Sequence, residues 1–179
     1  MDRTRTRVRE HGWYPISNYR GPPVSSQPIE VRAYRSLAYE VAEQLAWSVP
    51  DWIVVPVSRG DALCAMVAGF DELRQLGWIP RVPRMLAVVR FPSLQEAVRR
   101  GRAQPLPSEY PDRVAALSIS DPQATAAAVH AVRHSGGDVL VVDDKDLAKA
   151  HADAASHGWL VEFSSAAAMA GAAELRQRA

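Results

Sequence analysis

A few positions in this chain combine residue type and spacing in ways that could do chemistry. The first is Ser58-Arg59-Gly60-Asp61-Ala62, which begins right after the β-branched run Ile53-Val54-Val55-Pro56-Val57 and opens a helical pattern. A strand, a tight turn and a helix in succession aim backbone N–H groups and the positive helix end at one point. That point favours an anion, often a phosphate. Arg59 could add charge-assisted bonds there or fill the space, and Asp61 would repel a phosphate if it pointed inward. The second position is Ser164-Ser165, just ahead of an Ala-rich run. Serine before an apolar helix is the usual N-cap. That role covers one of the two and leaves the other at a strand end, where a ligand could be touched.

Other candidates have plainer readings. His130 and His134 stand at i, i+4 on one helix face, the spacing of a metal pair, but no third ligand and no HExxH pattern accompany them. Asp143, Asp144 and Asp146 resemble a cation cluster, yet carboxylates at a helix start are ordinary capping and dipole chemistry. No metal is expected at either place. Cys64 reads as a small core residue near the start of a helix rather than as a nucleophile. No GxSxG, Walker A or Rossmann fingerprint occurs. Only Lys145 and Lys149 could supply an amine, because every other basic residue of the Lys/Arg set is arginine.

These residues need a scaffold. Residues 1–28 read as an irregular lead-in with aromatic anchors at Trp13, Tyr14 and Tyr19, and residues 29–179 read as one domain. Apolar periodicity predicts a helix over Tyr34–Trp47, stopped by Pro50. Strands are predicted at Ile53–Val57, Met85–Val89, Val139–Val142 and Leu160–Glu162. Helices are predicted at Asp61–Gly77, Ser93–Gly101, Asp121–His134, Asp143–His157 and from Ser164-Ser165 onward, while Ala115–Ile119 is ambiguous. Strands alternating with helices over short connections imply an α/β fold, a mostly parallel sheet with helices on both faces. Ligands of such sheets bind outside the carboxyl ends of the strands, where both serine-bearing segments fall.

Composition sets the limits. The chain has 179 residues, 47% hydrophobic and 23% charged, the balance of one globular domain. Its apolar runs are far short of the ~18 residues of a membrane span. A net charge of +1 gives no field to hold nucleic acid or an anionic membrane. With a single cysteine and no apolar leader after the basic start, a cytoplasmic location is expected.

The order of segments resembles threonine synthase. Tyr34-Arg35-Ser36-Leu37-Ala38-Tyr39-Glu40 is similar to that family's YRTLAYE segment, and Pro50 through Val57 to its PDxxxxPVG strand. Pro83-Arg84-Met85-Leu86 resembles PRMLG. Ser135-Gly136-Gly137 and the Asp143 helix start resemble SGG…VTD. Glu162 through Gly171 resembles EPASAAAMAG. The likeness runs in order over roughly residues 10–178 and concerns only the C-terminal half of the family.

Threonine synthase is a fold-type-II enzyme using pyridoxal 5′-phosphate (PLP). The resemblance implies that the phosphate loop falls on Ser58, Arg59, Gly60, Asp61 and Ala62, and that the residue bonding the pyridine nitrogen falls on Ser165. The lysine that forms the Schiff base belongs to the family's N-terminal half, and Lys145 and Lys149 match no family lysine. The sequence also departs from the family at Arg59, Asp61 and Phe163, and Arg32-Ala33-Tyr34-Arg35-Ser36 replaces EGYRT. One expectation is therefore a subunit of a split enzyme acting on a small amino acid, with PLP held only in complex with a lysine-bearing partner chain. The other is a non-catalytic stabilising or regulatory subunit that no longer binds PLP and covers its apolar face by self-association or with a partner. A weaker third is a free-standing domain for another small anion.

Overall fold

The computed structural model describes residues 2–14, 28–109 and 115–178. Three strands form its sheet: β1 (Trp52–Pro56), β2 (Arg84–Val89) and β3 (Asp138–Val141). They are parallel and lie in the order β1-β2-β3, with Val54 opposite Leu86 and Val88 opposite Leu140.

The pleat sorts side chains with period two. Val55, Val57, Met85, Ala87, Val89 and Val139 face one core, shared with Ala38, Leu63, Phe70, Leu94, Val129 and Val132. Those partners come from α3 (Ser36–Gln44), α4 (Asp61–Gln75), α5 (Ser93–Arg99) and α6 (Ala126–His134). Leu86, Val88 and Val142 face the other core with Leu147 and Ala167, from α7 (Asp144–Ser156) and α8 (Phe163–Arg178). Both crossovers, β1 to β2 and β2 to β3, run over the first face, as right-handed connections between sequential parallel strands require. The expected sheet with helices on both faces is the fold observed.

α8 approaches the sheet closely at Gly171. A Cβ there would lie 2.6 Å from Val88 Cγ2 and 2.7 Å from Val54 Cγ1. α7 begins with a capping box: the Asp143 carboxylate accepts from the Lys145 and Asp146 N–H groups, and Asp146 accepts from the Asp143 N–H.

Several expectations change. Leu160–Glu162 is not a strand; Leu160 is 88% exposed and the segment is a connection into α8. The helix expected from Asp121 starts at Ala126, because Asp121 turns back to accept from the Gln123 N–H and Thr125 caps the helix by accepting from Ala128 N–H. The helix expected over Tyr34–Trp47 stops at Gln44, and Ala46 and Trp47 take left-handed backbone. A separate short helix, α2 (Pro28–Ala33), precedes it. The lead-in contains α1 (Asp2–His11), a helix without the apolar stripe that would have announced it. Trp13 and Tyr14 are exposed rather than anchored, and Tyr19 lies outside the described residues. Ala115–Ile119 contains a single 3-10 turn, Leu117–Ile119.

Candidate active site

At the carboxyl end of β1 lies an open cavity of about 300 Å³. Ser58, Arg59, Gly60, Asp61 and Ala62 form one wall, and Ser164 and Ser165 on the first turn of α8 form another. The two segments singled out in the sequence, more than ninety residues apart, meet here.

The floor is the start of α4. Its first intrahelical bond runs from Cys64 N–H to Gly60 O at 2.9 Å, so the amides of the first turn have no acceptor within the helix. No side chain caps this end, and Gly60 to Leu63 all line the cavity. The positive end of a helix of 15 residues therefore opens into the site.

Three of the loop residues also hold the fold. Ser58 Oγ accepts from the Asp121 N–H at 3.3 Å. Arg59 is 6% exposed, with its Nε 3.9 Å from Asp121 Oδ2, and its carbonyl accepts from both the N–H and the hydroxyl of Thr125. Gly60 has φ +108°, and a Cβ on it would lie 2.5 Å from Ala128 Cβ. Arg59 thus ties the loop to the segment before α6. Asp61 sits in the first turn of α4, beside Cys64.

On the facing wall Ser165 is exposed while Ser164 is 4% exposed. Neither is the N-cap. Both lie inside the first turn, and the Ala166 N–H donates to Glu162 O at 2.9 Å. Ser118 from the 3-10 turn donates to the Glu162 carboxylate at 3.3 Å and completes the rim. Sequence reasoning missed Glu30, Tyr34, Ser118 and Glu162 as lining residues. They come from three separate segments, and nothing in their local pattern signals convergence. Thr125 was legible in principle as the hydroxyl preceding an Ala-rich helix.

The remaining candidates have other surroundings. Among the described residues no three His, Cys, Asp or Glu side chains are arranged to hold a metal ion. His130 and His134 stack with ring centroids 5.7 Å apart, and His134 lies 3.5 Å from Asp71. Burial first, then the nearby Asp61 charge, pushes the Cys64 thiol up to about 12, the opposite of an activated nucleophile. No described helix is long and apolar enough to cross a membrane.

A pyridoxal-phosphate dependent enzyme family matches residues 1–179. This chain belongs to that family. Its relatives include threonine synthases of Methanosarcina acetivorans, 34% identical over 155 residues, and of Methanocaldococcus jannaschii, 30% identical. Each alignment takes in 84% of this chain but only 38% of the relative's length. The resemblance to the C-terminal half of a threonine synthase-like, fold-type-II PLP enzyme stands. Similar solved structures are a threonine deaminase from T.th. and an L-serine ammonia-lyase from Rhizomucor miehei. The first has a TM-score of 0.68 at 18% identity, over 85% of this chain and 54% of that one. The second has 0.67 at 23% identity, over 83% and 45%. Both share the fold.

The family's cofactor can be tested against these residues. The open first turn of α4 suits a phosphate, and Ser165 stands across the cavity from it, where a polar ring atom could be met. The amine end has no counterpart in the site. Lys149 lines a different cavity, between α7 and α8. Lys145 lies in the first turn of α7, at the capping box. Neither lysine of the chain lines the α4 cavity.

Proposed function

We propose that this chain is one subunit of a split threonine synthase-like PLP enzyme. A partner chain supplies the lysine, and PLP is held only in the pair. The observation that carries this reading is a cavity lined by the open α4 N-terminus and by Ser165, at which neither of the chain's lysines is found. PLP serves as an electron sink for carbanions when bound through an amine. This chain's part is to hold the phosphate at Ser58–Ala62 and to orient the ring through Ser165. The reaction class is elimination or replacement at Cβ or Cγ of a small amino acid.

The test is visible absorption of the purified chain alone and of the chain with its partner. A PLP band in the pair only supports the reading. A band in the lone chain overturns it and turns attention to Lys145 and Lys149. Ser165→Ala in the pair is expected to shift that band and lower activity; an unchanged spectrum and rate would show that Ser165 is misplaced.

A second reading is favoured by the loop itself. Arg59 and Gly60 are both accounted for by packing on Asp121, Thr125 and Ala128. The chain would then be a stabilising or regulatory subunit without PLP. Arg59→Gly separates the two. Tighter PLP binding in the variant marks a decayed loop, whereas loss of PLP binding with the fold retained marks Arg59 as part of the cradle.

A further inference from the structure

β3 is an outer strand of the sheet, and most of its free side is already taken. The Val142 N–H donates to Val89 O, so alternation along the parallel ladder turns the backbone groups of Val139, Val141 and Asp143 outward. The Val139 N–H donates to Asp138 Oδ1 at 2.8 Å, and Val139 O accepts from Gln95 Nε2 at 2.9 Å. The Asp143 N–H donates to Asp146 Oδ2 at 3.0 Å. Between them, the N–H and C=O of Val141 have no partner among the described residues. The open stretch is one residue long.

A cavity of about 470 Å³ lies at that residue, bounded by β3, α7 and α8. The Val141 side chain packs on the opposite core, so Val141 meets the cavity through its backbone. Leu140 and Val142 from the strand and Met169, Ala170 and Ala173 from α8 give apolar walls. α7 contributes Lys149 and Asp153. Among the described residues no hydrogen bond or ion pair reaches the Lys149 ammonium. The Asp153 carboxylate has no hydrogen bond there either, and the His157 ring stands 4.0 Å from it. The other two carboxylates of the lining are engaged. Asp146 belongs to the capping box, and Glu174 accepts from Arg178 Nε at 3.1 Å.

We infer that this cavity is a binding site for a free α-amino acid with an aliphatic side chain. In an antiparallel pair, two opposite residues exchange both of their N–H···O bonds. A single zwitterion can do the same. Its carboxylate accepts from the Val141 N–H, and its ammonium donates to Val141 O. Lys149 supplies the countercharge for the carboxylate and Asp153 that for the ammonium. The apolar walls take the side chain. The volume falls in the range of small-molecule sites, roughly 300–1,000 Å³. A docked peptide strand fits less well, because its next bonds would fall on Val139 and the Asp143 N–H, which are already occupied. Nothing in this cavity depends on PLP being held at α4.

The experiment titrates L-leucine into the full-length, nitrogen-15-labelled chain at neutral pH and reads backbone amide shifts. Two analogues serve as controls: 4-methylpentanoate lacks the ammonium, and leucinamide lacks the carboxylate. Lys149 is exposed, so Lys149→Met is expected to keep the fold, checked by its Tm. A saturable shift of the Val141 amide supports the site if affinity falls about tenfold or more in Lys149→Met and with either analogue. No saturable shift at Val141 up to about 10 mM L-leucine, a binding free energy weaker than about 3 kcal/mol, overturns it. Equal affinity for 4-methylpentanoate or leucinamide overturns the amino-acid class. Unchanged affinity in Lys149→Met overturns the role of that ammonium. Shifts confined to Ser58–Ala62 place the ligand in the α4 cavity and overturn the assignment to β3.

Discussion

Gly60 allows the packing account of the loop to be tested quantitatively. Gly60→Ala forces a side chain onto backbone at φ +108° and places its Cβ 2.5 Å from Ala128 Cβ. Left-handed backbone costs a non-glycine residue roughly 1–2 kcal/mol, and overpacking a tight core site costs about 1–3 kcal/mol. The sum is about 2–5 kcal/mol, a fall in Tm of about 4–20 °C for a domain of this size. Ala128→Gly removes the obstructing methyl but adds its own cost of about 1 kcal/mol in the interior of α6. Urea unfolding of the two single variants and the double variant forms a cycle. The double variant should be more stable than the sum of the singles by the clash alone, about 1–3 kcal/mol. Wild-type stability in Gly60→Ala, or strict additivity in the double variant, would refute the claim that Ala128 fixes glycine at this position.

Further outcomes are expected from other parts of the fold. Gly171→Ala should lower the unfolding free energy in urea by about 1–3 kcal/mol of overpacking, because the new methyl meets Val54 and Val88; a neutral result would mean that α8 is free to shift. Cys64 should resist a thiol reagent at pH 8 in the folded chain and react at once in urea, since its thiol is pushed up to about 12. Asp143 is held below the usual carboxylate range, first by the Asp146 N–H and then by the Lys145 N–H. A lowered folded pKa means that its contribution is present at neutral pH and is lost as pH falls through the folded value. Asp143→Ala should therefore lower Tm at pH 7 and have a shrinking effect in acid, read by thermal scans across that range.

What the sequence revealed, it revealed through local grammar. The β-branched run before Ser58, Gly60 and the apolar periodicity after it fix strand, turn and helix within a few residues, so the phosphate-capable loop was visible. Asp143 and Asp146 stand at capping-box spacing, and α7 starts where they say. Leu160–Glu162 carries a strand-like pattern but finds no neighbour to pair with, and pairing is not local. The start of α6 was misplaced because Asp121 and Thr125 are both competent caps; the tie is broken by Thr125 bonding to Arg59 O, 66 positions away. The rim residues Glu30, Ser118 and Glu162 converge only through the topology of the sheet. Arg59 was ambiguous for the same reason, since the sequence cannot show that Asp121 lies beside it.

The glycine at position 171 has a consequence for the wall of the cavity. With no side chain there, the α8 backbone rests on the methyl groups of Val54 and Val88. Sliding α8 along the sheet would carry the neighbouring Ala170 or Ala172 onto those methyls. The helix is therefore keyed to β1 and β2 in one register, and Ser165 on its first turn inherits that register.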